Sequence, residues 1–123
     1  MNILVIEDND QNMYLTEFLL SRHGHSVLKA SNGADGIALA RQSRPDAILL
    51  DIQLPGMDGY EIAGVLKNDE VTRHIPVIAV TSYAMRGDRE KVLAAGCEGY
   101  IEKPINPDTF MKQILSFIPG GQK

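Results

Sequence analysis

Short runs of consecutive apolar residues alternate along this chain with longer stretches in which apolar residues recur every three or four positions. The runs at 3–6, 27–28, 47–50, 77–80 and 100–101 predict five strands. The first, third and fourth have no polar alternation, which predicts that both of their faces are covered, as in a parallel sheet. The intervening stretches predict five helices. Leu15, Phe18 and Leu19 share one helical face, as do Ile62, Val65 and Leu66. Asn32-Gly33 opens the second helix, and Arg44-Pro45 closes the segment that follows it. Phe110, Ile114 and Phe117 repeat the helical spacing near the end, where Asn106 is the expected N-cap and Pro107 sits in the first turn. The fourth helix, 84–95, carries Met85, Val92 and Leu93 interrupted by Arg86, Asp88, Arg89, Glu90 and Lys91. It is expected to pack most loosely.

Five strands alternating with five helices define an α/β fold. Right-handed crossovers then give a doubly wound five-stranded parallel sheet of flavodoxin-like order 2-1-3-4-5, with its ligand site at the carboxyl edge. A single domain is expected over 1–118, followed by a flexible C-terminal tail at 119–123. Composition narrows the classes. At 44% hydrophobic the chain of 123 residues is too apolar for disorder. Twelve basic against 16 acidic residues leave a net charge of −4, which argues against a nucleic-acid or membrane-surface footprint. The single cysteine, Cys97, excludes an internal disulfide. No apolar run reaches the ~18 residues of a membrane span, and the start lacks the basic region of a secretion signal. A cytoplasmic location is expected, with no membrane and no nucleic-acid partner.

Polar residues fall where the topology predicts a site. Strand 1 runs into Glu7-Asp8-Asn9, strand 3 ends in Asp51, strand 4 ends in Thr81-Ser82, and strand 5 is followed by Lys103-Pro104. In the order 2-1-3-4-5 these four strands are contiguous, so three carboxylates, a hydroxyl and an ammonium converge on one edge. Clustered acids repel unless a cation joins them, and oxygen-only ligands with room for water suit Mg²⁺. Asp51 is then a candidate nucleophile able to form an aspartyl phosphate. Mg²⁺ and Lys103 would neutralise phosphoryl oxygens, and Thr81 would donate a hydrogen bond to one of them.

Glu7-Asp8, Asp51 with the following Ile-Gln-Leu-Pro-Gly-Met-Asp-Gly to position 59, Thr81, and Tyr100-Ile-Glu-Lys-Pro to position 104 resemble the CheY-like receiver domain of bacterial response regulators. The resemblance runs from Asn2 to about Phe117. The stretches Glu7-Asp8-Asn9 and 81–88 are most similar to the small stand-alone DivK-type receivers. The resemblance implies that Asp51 accepts a phosphoryl group from the phosphohistidine of a sensor histidine kinase or histidine phosphotransfer protein. It implies side-chain ligation of Mg²⁺ by Asp8 and Asp51, a third ligand from the Gln53 carbonyl, Glu7 acting through water, and a cis peptide before Pro104. It also implies a switch. Phosphorylation draws Thr81 inward, Tyr100 moves into the vacated space, and the face of helix 4, strand 5 and helix 5 changes for a downstream protein effector. The protein is then a monomer or a phosphorylation-dependent dimer. Gln53 and Tyr83 would flank the path of a hydrolytic water. A bulky Tyr83 predicts a long-lived aspartyl phosphate, while Gln53 could orient the water and shorten its life. Asn12, Met13 and Ile105 lie on the expected kinase side.

The residues also bear on other functions. A Mg²⁺-dependent aspartyl-phosphate phosphohydrolase needs an acid two residues after its nucleophile, where this chain has Gln53. A flavin module needs a hydroxyl- and glycine-rich phosphate loop where the chain has Glu7-Asp8-Asn9-Asp10. A receiver fragment of a larger regulator or hybrid kinase is the remaining alternative. No separate substrate turnover is expected. His23 and His25 read as exposed turn residues, His74 as a loop residue and Cys97 as a small buried side chain.

Overall fold

The computed structural model describes residues 1–54, 56, 58–81 and 86–118, the side chains of 86–89 excepted. In chain order the elements are β1 (Asn2–Ile6), α1 (Asp10–Arg22), β2 (Ser26–Ala30), α2 (Gly33–Ser43) and β3 (Ala47–Asp51). They continue with α3 (Gly59–Asn68), β4 (Val77–Thr81), α4 (Arg86–Ala94), β5 (Gly99–Glu102) and α5 (Phe110–Ser116). All strand pairs are parallel and the sheet order is β2-β1-β3-β4-β5. The expected topology is the observed one.

Strand alternation divides the core between the two faces of the sheet. Leu4, Ile6, Ile48, Leu50, Val77 and Ala79 pack with Ala40 of α2, Ile62 and Leu66 of α3, and Val92 of α4. Ile3, Val5, Leu49, Ile78, Val80 and Ile101 pack with Leu19 and Leu20 of α1 and with Phe110 and Ile114 of α5. Burying both faces is why β3 and β4 are apolar along their length.

Side-chain oxygens set the helix starts. Asn9, Asn32 and Asp58 accept the backbone N–H of Asn12, Asp35 and Tyr60, which fixes where α1, α2 and α3 leave the sheet edge. Arg44 caps α2 in the left-handed region at φ 45°. Below the sheet, Lys67 donates to the Ile75 carbonyl at 2.8 Å and pairs with Glu98. The other Glu98 oxygen accepts the Val77 N–H at 2.6 Å, tying α3 to the start of β4.

Several expected details differ. Phe18 and Val65 sit at the edges of their apolar stripes and are 50% and 41% exposed. Leu93 is also exposed, so among the described side chains of α4 only Val92 is buried. Met85 lies outside the described residues, as does 119–123. Asn106 does cap a turn, accepting the Asp108 N–H at 2.9 Å, but the α-helix begins at Phe110. The intervening residues are held by bonds from the Thr109 and Phe110 N–H groups to the Asn106 carbonyl. His25 is half-buried rather than exposed.

Candidate functional site

The carboxyl ends of β1, β3, β4 and β5 meet at one edge because the order puts them side by side. The Glu7 N–H donates to the Ala30 carbonyl at 3.0 Å, extending the β1–β2 ladder by one residue and turning the Glu7 side chain inward. Glu7 and Asp51 are 6% and 5% exposed, whereas Asp8 is exposed. One oxygen from each of Glu7, Asp8 and Asp51 falls within 4.8 Å of the others.

Lys103 closes the cluster from the β5 side. Its backbone N–H donates to the Thr81 carbonyl at 2.8 Å, which fixes where the side chain leaves the sheet. Its ammonium then lies 3.1 Å from Glu7 Oε1 and 3.4 Å from Asp51 Oδ2. The peptide that follows, Lys103-Pro104, is cis, as expected. The second Glu7 oxygen accepts the Asn9 N–H at 3.2 Å, and Asp51 Oδ1 accepts the Gln53 N–H at 2.9 Å. Burial, and next the adjacent Asp51 carboxylate, push Glu7 up to about 7, with the Asn9 amide and Lys103 acting against the rise.

Three carboxylates with one ammonium form an oxygen donor set of net negative charge, partly buried and open on the Asp8 side. That set fits a hard divalent cation, which would relieve the repulsion that Lys103 alone leaves. Thr81 is 2% exposed at the end of β4, and Tyr100 is half-buried in β5 opposite Ala79. Ser82 and Tyr83 lie outside the described residues.

The structure adds residues that the sequence reading missed. Asn12 and Ile105, two of the three residues placed on the expected kinase side, line a groove of about 280 Å³ together with Leu15, Lys103 and Pro104. Met13 does not line it; Met13 packs against the core beneath α1. Leu15, on one helical face with Leu19, packs against the core as well as lining the groove. Thr16, buried on α1, lines a small cavity with Glu7 and Asp51.

Residues 3–115 match the response regulator receiver domain family. The chain belongs to that family, and its role is that of a phosphoacceptor signalling domain of two-component systems. It is 45% identical over 117 residues to the polar-differentiation response regulator DivK of Brucella anthropi, and the alignment covers 95% of each chain. It is 35% identical to the receiver domain of a sensor histidine kinase from Pseudomonas aeruginosa PAO1, with TM-score 0.88 over 96% of this chain and 97% of that one. That crystal structure has a magnesium ion coordinated in the active-site cleft. A CheY-like receiver domain protein from Methanospirillum hungatei JF-1 superposes with TM-score 0.88 at 27% identity, over 98% and 95% of the two chains. Among the described residues, no helix is long and apolar enough to cross a membrane.

Proposed function

We propose that Asp51 is the phosphoacceptor of this receiver. The observation that supports it most is the convergence of Asp51 with Lys103, 3.4 Å away, and with Glu7 and Asp8, within 4.8 Å, at the carboxyl edge. In this reading Asp8 and Asp51 hold Mg²⁺ by their side chains, the Gln53 carbonyl supplies a further ligand, and Glu7 acts through water. Bound Mg²⁺ would supply charge neutralisation of the phosphoryl oxygens.

The residues divide the remaining work. An Asp51 carboxylate oxygen attacks phosphorus, the phosphorus–nitrogen bond of the donor phosphohistidine breaks, and the imidazole leaves with the electron pair and takes up a proton. Lys103, now bridging Glu7 and Asp51, shifts onto a phosphoryl oxygen as charge moves to it. Thr81 donates to another, and Tyr100 follows Thr81 into the space it leaves, biasing the α4-β5-α5 face toward a protein effector. The chain catalyses its own phosphorylation and dephosphorylation and turns over no separate substrate. The groove lined by Asn12, Leu15, Pro104 and Ile105 opens beside Lys103, a position suited to a sensor histidine kinase or histidine phosphotransfer protein presenting its phosphohistidine. The reading places the protein in the cytoplasm.

The test is transfer from a labelled, phosphorylated histidine phosphotransfer protein. Label passing to the wild-type chain with Mg²⁺ and not with EDTA, and never to Asp51→Asn, is the expected result. Equal labelling of Asp51→Asn would assign the acceptor elsewhere.

A further inference from the structure

The buried face of α1 is formed by Thr16, Leu19 and Leu20. A threonine there is unexpected on packing grounds. It is a poorer helix former than leucine, and it brings a hydroxyl into an apolar layer. Thr16 is only 5% exposed, and it faces a small cavity that two site carboxylates also line. The chemistry of its surroundings, rather than packing, accounts for a hydroxyl at this position.

That cavity has room for a water. Thr16, Glu7 and Asp51 line a cavity of about 10 Å³ whose other walls are the apolar side chains of Val5, Ile6, Leu49 and Val80. That is close to the smallest space that holds one water. The hydrogen-bonding inventory matches as well. Ionised carboxylates only accept, and a threonine hydroxyl can donate. A water in this position would accept from Thr16 and donate one hydrogen to Glu7 and one to Asp51. The bonds and ion pairs that these carboxylates accept from Lys103, Asn9 and Gln53 leave lone pairs for both a water and a cation.

We propose that Thr16 is a positioning residue: through one buried water it fixes the Glu7 and Asp51 carboxylates, from below, in the arrangement that takes up the metal ion. The inference rests on the reading of these carboxylates as metal-site residues. Thr16 touches neither the metal nor the phosphoryl group. Its effect is on how well the acids are held ready, an outer-shell role whose loss commonly weakens metal affinity 10-fold or more.

The test compares wild type, Thr16→Val and Thr16→Ser. Valine keeps the shape and removes the donor, while serine keeps the donor. A high-resolution crystal structure of the wild type should show an ordered water between Thr16 Oγ1 and the two carboxylates, missing from Thr16→Val. Calorimetric titration with MgCl₂ should give a Kd weakened about 10-fold in Thr16→Val and within about 2-fold of wild type in Thr16→Ser. Serine loses the packing of a methyl group, so rescue by serine cannot come from packing. Should Thr16→Val fail to fold, the wild-type water and the Thr16→Ser affinity still decide. A dry cavity in the wild type, a serine variant as weak as valine, or a Thr16→Val affinity within 2-fold of wild type would overturn the proposal. A wild type that binds no Mg²⁺ would instead overturn the metal-site reading, and the crystallographic water would still decide the water site.

Discussion

Replacing Asp51 with asparagine should stabilise the metal-free protein while abolishing its response to Mg²⁺. Asp51 lies within 4.8 Å of both Glu7 and Asp8 and 3.4 Å from the Lys103 ammonium. At an effective dielectric of about 20 each repulsion is at least about 3.5 kcal/mol and the attraction about 5 kcal/mol. Asp8 is exposed, so its share falls by roughly half through solvent screening, and the attraction at most offsets the repulsion. What remains is the cost of burying a carboxylate that is 5% exposed, several kcal/mol for a charge and far less for an amide. Asparagine can still accept the Gln53 N–H, losing about 1 kcal/mol because its oxygen is uncharged. The net gain is about 2 kcal/mol, or about 6–10 °C in Tm for a chain of this length.

The assay is thermal unfolding followed by circular dichroism at pH 8.5, in EDTA and in MgCl₂. Wild type at about 100 times its Kd for Mg²⁺ gains about 2.7 kcal/mol, so the order of the two proteins closes or reverses, while the variant barely responds. Lowering the pH through 7 protonates Glu7, whose raised value means that protons stabilise the fold there. The advantage of Asp51→Asn in EDTA should therefore shrink toward pH 5. A variant less stable than wild type in EDTA at pH 8.5, or one shifted equally by Mg²⁺, would refute the reasoning.

Other consequences follow from single contacts. Burial, aided by Glu98, pushes the Cys97 thiol from 9.0 up to about 12; at pH 8 its reaction with a disulfide reagent should be about 10³-fold slower folded than unfolded. Gly59→Ala should destabilise by about 2 kcal/mol or more in chemical denaturation, since its Cβ would come within 2.5 Å of the Ile52 Cα. Gly64→Ala, in the same helix with nothing within 4 Å, should stabilise by about 0.5–1 kcal/mol. Glu98→Ala leaves the Val77 N–H without its carboxylate and Lys67 with carbonyl partners alone, and should cost about 1–3 kcal/mol in the same assay.

The apolar runs of β1, β3 and β4 made the parallel sheet readable, because a strand buried on both faces has no polar alternation to mistake for anything else. The acids and Lys103 were readable as an edge cluster once the strand order was assumed. Their burial was not. Glu7 after a strand reads as a solvated turn, and the Lys103 that pairs with it lies 96 residues away in the chain. Thr16 escaped notice for a similar reason: helical spacing marks it only as one polar residue among apolar ones, and the cavity that gives its hydroxyl a role is built by β1, β3 and β4. The start of α5 is not legible in the sequence because Asn106 caps a turn first, and that turn consumes the residues before Phe110.

The central claim is that Asp51 is phosphorylated with the help of Mg²⁺ and Lys103. Intact-mass spectrometry after incubation with acetyl phosphate tests it most directly, on wild type and Asp51→Asn, with and without Mg²⁺. The account predicts a gain of one phosphoryl group in wild type alone, dependent on Mg²⁺ and lost in base. No adduct on a wild type that binds Mg²⁺, or the same adduct on Asp51→Asn, would contradict it.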